Sequence, residues 1–169
     1  MLRLFTKILK TGIITEKLKP ANNAELEQLG IEIKRQIDKS NAGSIAIRFV
    51  DAGSCNGCEL EIHALNNPFY DVERYGIHFV ASPRHADVLL VTGPVSRHMQ
   101  TALLRTYEAM PHPKWVIAVG ECAANGGEFG VSYASCGAVA NVIPVDVVIA
   151  GCPPTPESLM KGLLGFIKK

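Results

Sequence analysis

The sequence predicts an α/β fold, a parallel sheet with helices on both faces, preceded by a helical arm. Three observations carry this. From residue 45 onward strand-like runs alternate with helical patterns, the signature of βαβ units. Two of the runs, 87–92 (DVLLVT) and 115–119 (WVIAV), are almost wholly apolar, as strands covered on both faces are. The first 44 residues instead repeat apolar side chains at helical spacing.

Residues 1–19 carry Arg3, Lys7, Lys10, Lys17 and Lys19 against Glu16, with Leu2, Phe5, Ile8 and Leu9 at helical spacing. Such a basic amphipathic helix suits a membrane surface or a partner equally well. A second helix is predicted over 23–39 from the stripe Leu26, Leu29, Ile33 and Ile37, with Gly30 a weakness because glycine disfavours helix interiors. The run 41–44 (NAGS) reads as a turn. The chain is therefore divided into an arm over 1–44 and an α/β domain over 45–169.

In that domain strands are predicted over 45–50, 77–80, 87–92, 115–119 and 145–150. A helix over 57–65 follows the first. Ser96 caps a helix over 97–110 that turns Met99, Leu103, Leu104 and Tyr107 inward. Thr155 with Pro156 opens the last helix, whose Leu159, Leu163 and Phe166 face the core. The sheet expected is of flavodoxin-like kind.

Composition excludes several classes. The chain has 169 residues and a net charge of +1, which gives no electrostatic footprint for nucleic acid. No apolar run reaches the roughly 18–20 residues that span a bilayer, and no secretory leader is evident. A cytoplasmic location is expected, where structural disulfides are disfavoured. Mean hydropathy of +0.15 hints at surface covered by a partner.

The five cysteines are Cys55, Cys58, Cys122, Cys136 and Cys152. A C-x-x-C pair by itself is ambiguous between zinc, redox chemistry and iron–sulfur. Their places on the predicted fold decide more. Cys55 and Cys58 follow the first strand, Cys122 the fourth and Cys152 the last, each just beyond a strand's carboxyl end. Those ends line one edge of a parallel sheet, where ligands bind. Only one pair is local, whereas structural zinc usually uses two local pairs, so the pattern favours a [4Fe-4S] cluster over zinc. The loops are rich in glycine, which lets backbone approach a cluster closely. GECAANGG is not a dinucleotide fingerprint. Cys136 precedes a strand and reads as a buried free thiol, with replacement of Cys122 as the alternative.

The stretches GSCNGCELEI (53–62), SPRHADVLLVTGPV (82–95), GECAANGG (120–127) and IPVDVVIAGCPPTPESL (143–159) resemble the small subunit of energy-converting, membrane-bound [NiFe] hydrogenases. The formate hydrogenlyase and CO-induced hydrogenase complexes are of this class. The same subunit is similar to the one carrying the terminal [4Fe-4S] cluster of respiratory complex I. KILKTGIITE near the N-terminus also looks like the family. The resemblance implies that Cys55, Cys58, Cys122 and Cys152 ligate one [4Fe-4S] cluster, proximal to the Ni-Fe site of a large subunit, with Cys136 left out. It implies an electron relay that holds no catalytic residue and no Ni-Fe centre itself. The implied partners are that large subunit, a ferredoxin-like iron–sulfur subunit and integral membrane subunits, with the chain peripheral on the cytoplasmic side of the cell membrane. Two departures from complex I favour the hydrogenase branch: C-x-x-C in place of adjacent cysteines, and His85 in place of glutamine. A complex I-like quinone reductase subunit is the alternative, and a zinc-stapled binding module the third.

Glu59, Arg84, His85 and Glu121 are candidates to sit beside the cluster or at a subunit interface. For Glu59 and Glu61 the blander expectation is a solvated or partner-paired helix face, and for His85 a satisfied structural histidine. His63, His78, His98 and His112 show no ligand spacing and are assigned nothing.

Overall fold

The computed structural model describes residues 2–11, 23–40 and 43–168. It contains the sheet that the sequence predicts. Five strands, β1 (Ile45–Asp51), β2 (Ile77–Phe79), β3 (Val88–Thr92), β4 (Trp115–Val119) and β5 (Val147–Ile149), lie in the order β2-β1-β3-β4-β5. Every pairing is parallel. This is the flavodoxin-like 2-1-3-4-5 order, in which ligands sit beyond the strands' carboxyl ends.

Six helices connect and flank the strands among the described residues: α1 (Leu2–Thr11), α2 (Asn23–Ser40), α3 (Gly57–Ala64), α4 (Arg97–Ala109), α5 (Gly120–Asn125) and α6 (Pro156–Ile167). Their caps follow from sequence. Ser96 Oγ accepts from Met99 N at 3.3 Å, and Thr155 Oγ1 accepts from Ser158 N at 3.2 Å, each satisfying an otherwise orphaned first-turn donor. Acidic residues pin the starts of strands in the same way. Asp87 Oδ2 accepts from Ala46 N and Asp146 Oδ2 from Val116 N, both at 2.8 Å.

The sheet's alternation divides the core in two. Ile47, Leu90, Ile117 and Ile149 face one side, where Ile33 and Ile37 of α2, Ile62 of α3 and Leu159 and Leu163 of α6 cover them. Val50, Leu89, Val91, Val116 and Ala118 face the other, under Leu103 of α4. Each valine, leucine or isoleucine so buried contributes roughly 1.5–3 kcal/mol. β3 is buried along its whole length. Phe166 is only partly buried and meets the Trp115 ring edge-on at 5.7 Å.

Two expectations need correcting. The run 145–150 forms strand only over Val147–Ile149, and Val148 is exposed; β5 is an edge strand with a neighbour on one side only. Cys122, expected in a loop, lies within α5, a six-residue helix too short to show periodicity. Gly12–Glu16 of KILKTGIITE, Lys17, Lys19, and Asn41 and Ala42 of the expected turn lie outside the described residues.

Gly30, a weakness in the sequence, has a packing reason. A Cβ there would lie 2.1 Å from the ring of Tyr75, a buried residue whose hydroxyl donates to Glu27 at 3.2 Å. Gly30→Ala is expected to destabilise by about 1–3 kcal/mol through overpacking, against alanine's intrinsic helix preference. A thermal melt lowered by roughly 2–4 °C per kcal/mol checks it; a raised melting temperature would refute the packing argument.

Candidate metal centre

Three turns at the carboxyl edge of the sheet carry four cysteines. The first is built by Asp51, whose Oδ1 accepts from Gly53 N and Ser54 N, both at 2.8 Å. This Asx-type turn redirects the chain after β1. Ser54 Oγ then accepts from Asn56 N at 3.0 Å, and Asn56 enters α3 from the left-handed region at φ 71°. Cys55 is left exposed, and Cys58 sits half-buried in the first turn of α3.

The second turn follows β4. Gly120 has φ +85°, and a Cβ there would lie 2.7 Å from Cys58 Sγ and 3.3 Å from the Gly151 carbonyl oxygen. Only glycine leaves room for β4 to end between Cys58 and the third turn. Half-buried Cys122 follows on α5, and at Gly127 (φ +55°) a Cβ would lie 2.7 Å from Cys122 Sγ. The third turn, after β5, presents the exposed Cys152. Two hydrogen bonds of Glu121 lock it to the second: its backbone N donates to Gly151 O at 3.0 Å, and its Oε1 accepts from Gly151 N at 3.3 Å. It also adjoins the first, since a Cβ on Gly57 would lie 3.6 Å from Cys55 Sγ and 3.7 Å from Pro153 Cγ.

The thiols sense one another. Burial pushes the Cys58 thiol up to about 11, and the negative charges of Glu59, Cys55, Cys122 and Cys152 add to the effect. Burial, then Cys152 and Cys55, raises Cys122 as well. Among the described residues no group of three or more His, Cys, Asp or Glu side chains is arranged to hold a metal ion. The donor set is four soft thiols with glycine backbone against two of them, the chemistry that zinc or iron–sulfur takes. Binding either requires thiolates.

A pH dependence follows for the metal-free, reduced chain. Both raised thiols are protonated at neutral pH, and their folded values exceed the ordinary 9.0. The stability they contribute is complete below pH 9 and lost as pH rises towards 11. At pH 8 alkylation by iodoacetamide is expected to modify the exposed Cys55 and Cys152 well before Cys58, with the lag closing as pH approaches 11. Peptide mass spectrometry over time checks it; equal rates for Cys58 and Cys55 at pH 8 would refute it.

Cys136 lies elsewhere. It is buried in the core cluster under α4, and its thiol donates to Gln100 Oε1 at 3.4 Å. The other candidates divide. Glu121 bridges the second and third turns as described. Arg84 and His85 are exposed on a short 3₁₀ turn. Glu59 overturns the expectation of a solvated carboxylate. It is 4 % exposed, because its place beside Cys58 turns it under the end of β3. There it accepts from the hydroxyl of the fully buried Thr92, while its Oε2 is buried without a partner among the described residues. In the sequence Thr92 reads only as the last residue of an apolar strand.

The family model of the NADH ubiquinone oxidoreductase 20 Kd subunit matches residues 55–166. The chain is 43% identical over 148 residues to a probable membrane-bound hydrogenase subunit, mbhJ, of Pyrococcus furiosus, covering 88% of each chain. It is 43% identical over 154 residues to formate hydrogenlyase subunit 7 of Escherichia coli, covering 83% of this chain but 60% of that one. Among solved structures, a chain of the membrane-bound sulfane sulfur reductase, an archaeal respiratory membrane complex, superposes with a TM-score of 0.66 at 36% identity. That match covers 81% of this chain and 75% of the other. A chain of an NAD+-reducing [NiFe]-hydrogenase superposes at 0.58 over 74% of this chain and 92% of that one. At 19% identity it speaks for the fold alone.

Proposed function

The chain belongs to the NADH ubiquinone oxidoreductase 20 Kd subunit family, a family of oxidoreductase complex subunits, and from that premise we propose that it is the electron-transfer subunit of a multisubunit, membrane-bound [NiFe] hydrogenase. In this reading Cys55, Cys58, Cys122 and Cys152 hold one [4Fe-4S] cluster proximal to the Ni-Fe site of a partner large subunit. The observation that supports it is that the three turns bearing these cysteines adjoin at one edge of the sheet, in a chain similar to hydrogenase subunits.

When bound, a [4Fe-4S] cluster supplies one-electron exchange. The chain's residues do the rest. The thiolates hold the group, and the turns at Gly120 and Gly127 bring backbone against the sulfurs of Cys58 and Cys122. Burial lowers the local dielectric and backbone N–H groups can donate to sulfur, and both would tune the potential. Glu121 keeps the turns of Cys122 and Cys152 in register.

One cluster is a relay, so partners on both sides belong to the reading: the large subunit, a ferredoxin-like subunit and integral membrane subunits. The chain is peripheral, on the cytoplasmic side; no helix among the described residues is long and apolar enough to cross a membrane. The division into an arm over 1–44 and a cluster domain over 45–169 belongs to the same proposal, with α2 of the arm packed into the domain's core through Ile33 and Ile37. In α1, Arg3, Lys7 and Lys10 accompany exposed Phe5 and Leu9, which suits contact with lipid or a partner.

A complex I-like quinone reductase subunit is the second reading, favoured by the match to the NADH ubiquinone oxidoreductase 20 Kd subunit family model. Elemental analysis of the complex, isolated anaerobically through this chain, separates them. Near-stoichiometric nickel with abundant iron is expected. Iron without nickel selects the second reading, and zinc without iron overturns the cluster.

A further inference from the structure

The other long helices pack their apolar faces against the sheet. α2 places Ile33 and Ile37 in the core, α4 Leu103, and α6 Leu159 and Leu163. α1 does not. Its Phe5 and Leu9 are 62 % and 82 % exposed and join neither core cluster.

The order of residues divides α1 lengthwise. At about 100° per residue, positions 2, 4, 5, 8 and 9 fall on one half of its circumference and positions 3, 6, 7, 10 and 11 on the other. Every apolar residue of the helix occupies the first half. Arg3, Lys7 and Lys10 occupy the second, together with its threonines. The helix has no acidic residue, and none of its three cations forms an ion pair among the described residues. α2 is the contrast. It carries both signs, and pairs Arg35 with Glu32 and Lys34 with Asp38 along its own length.

Both halves of α1 therefore lack a complement. An apolar half left in water is unfavourable, and three like charges along one side repel. One surface answers both: an apolar layer beneath an anionic face. The boundary of a lipid bilayer is such a surface, taking the apolar half at the acyl boundary while anionic headgroups meet the cations. Long lysine and arginine stems reach from that boundary to the headgroups. A protein partner fits less well, because lysine is depleted from the buried centres of protein interfaces. The helix has 10 residues, a rise of about 15 Å against a hydrocarbon core of roughly 30 Å, so it suits lying in the surface plane.

We propose that α1 is an interfacial anchor lying along an anionic lipid surface, with Phe5 and Leu9 toward the acyl chains and Arg3, Lys7 and Lys10 toward phosphate-bearing headgroups. The anchor rests on the reading of this chain as a peripheral subunit of a membrane-bound complex, and on nothing about the cluster.

Two measurements test it. In the first, the full chain is floated with vesicles of equal parts phosphatidylglycerol and phosphatidylcholine, and with phosphatidylcholine alone. The expected result is association with the anionic vesicles, reversed by high salt, and little with the neutral ones. Each cation near such a surface contributes about fivefold in affinity, so Arg3→Gln, Lys7→Gln and Lys10→Gln combined should weaken association by roughly 100-fold. Phe5→Ser with Leu9→Ser should abolish it. Both variants should keep the melting temperature and iron content of wild type, since these side chains lie outside the core. No association with the anionic vesicles, equal affinity for both kinds, or wild-type affinity in either variant overturns the anchor.

The second measurement uses the intact complex in its native membrane, with photoreactive p-benzoylphenylalanine in place of Phe5. Irradiation is expected to attach a lipid to this chain at position 5, identified by mass spectrometry of the peptide. An adduct with another subunit or a second copy overturns the anchor while the membrane-bound reading stands. So does the absence of any adduct, which leaves the helix in water. A complex recovered wholly in the soluble fraction overturns that reading as well.

Discussion

Cys122→Ser is expected to strip the chain of its iron, whereas Cys136→Ser leaves it in place. Cys122 is half-buried at the sheet edge, and its thiol is raised by burial and by Cys152 and Cys55. Serine there removes one of four soft donors and substitutes a hydroxyl that stays protonated at neutral pH. Loss of a ligand's supporting partner typically costs 10–100-fold in metal affinity, so loss of the ligand itself should cost more than about 100-fold. Cys136 is equally cysteine but sits in the core with its thiol on Gln100. Its substitution buries a hydroxyl among apolar neighbours and costs about 1–2 kcal/mol of stability, without touching the site. Iron per chain in anaerobically purified variants, with the paramagnetic resonance signal of the reduced protein, reads both effects. Iron retained in Cys122→Ser and lost in Cys136→Ser would mean that the ligand set is wrong.

Gly120→Ala is expected to be nearly as damaging, although it removes no ligand. The new Cβ would stand 2.7 Å from Cys58 Sγ, in a backbone conformation of φ +85°. Non-glycine residues in the left-handed region cost roughly 1–2 kcal/mol, and the contact pushes the Cys58 sulfur off its position or β4 away from α3. The expected outcome is a melting temperature lowered by several degrees and iron content reduced to a small fraction of wild type. Gly165→Ala is the matched control. Gly165 lies in α6 with nothing within 4 Å of a new Cβ, so alanine should stabilise by about 0.4–1 kcal/mol and leave iron unchanged. If Gly120→Ala retained full iron, the close approach of β4 to Cys58 would have no functional weight.

Most of the sheet is legible in the chain because its signals are local. DVLLVT can be buried on both faces only as a central strand, and β3 is one. Ser96 and Thr155 announce their helices by cap chemistry. Elements whose character depends on neighbours are less legible. The stretch at residues 145–150 has the composition of a central strand, but being last in the order leaves it exposed on one edge. Glycine at position 30 argues locally against a helix, and the Tyr75 ring that requires it comes from 45 residues away.

Residue type, spacing and charge are enough to set the class of fold and to place four cysteines after strands. They leave open which cysteine belongs to the core, a question that the packing of Cys136 under α4 answers. They also carry no sign that Glu59 is buried under Thr92. The physical reason is the same in each case. Burial and the pairing of polar groups are set by which segments distant in the chain come to adjoin, and local patterns carry no record of that.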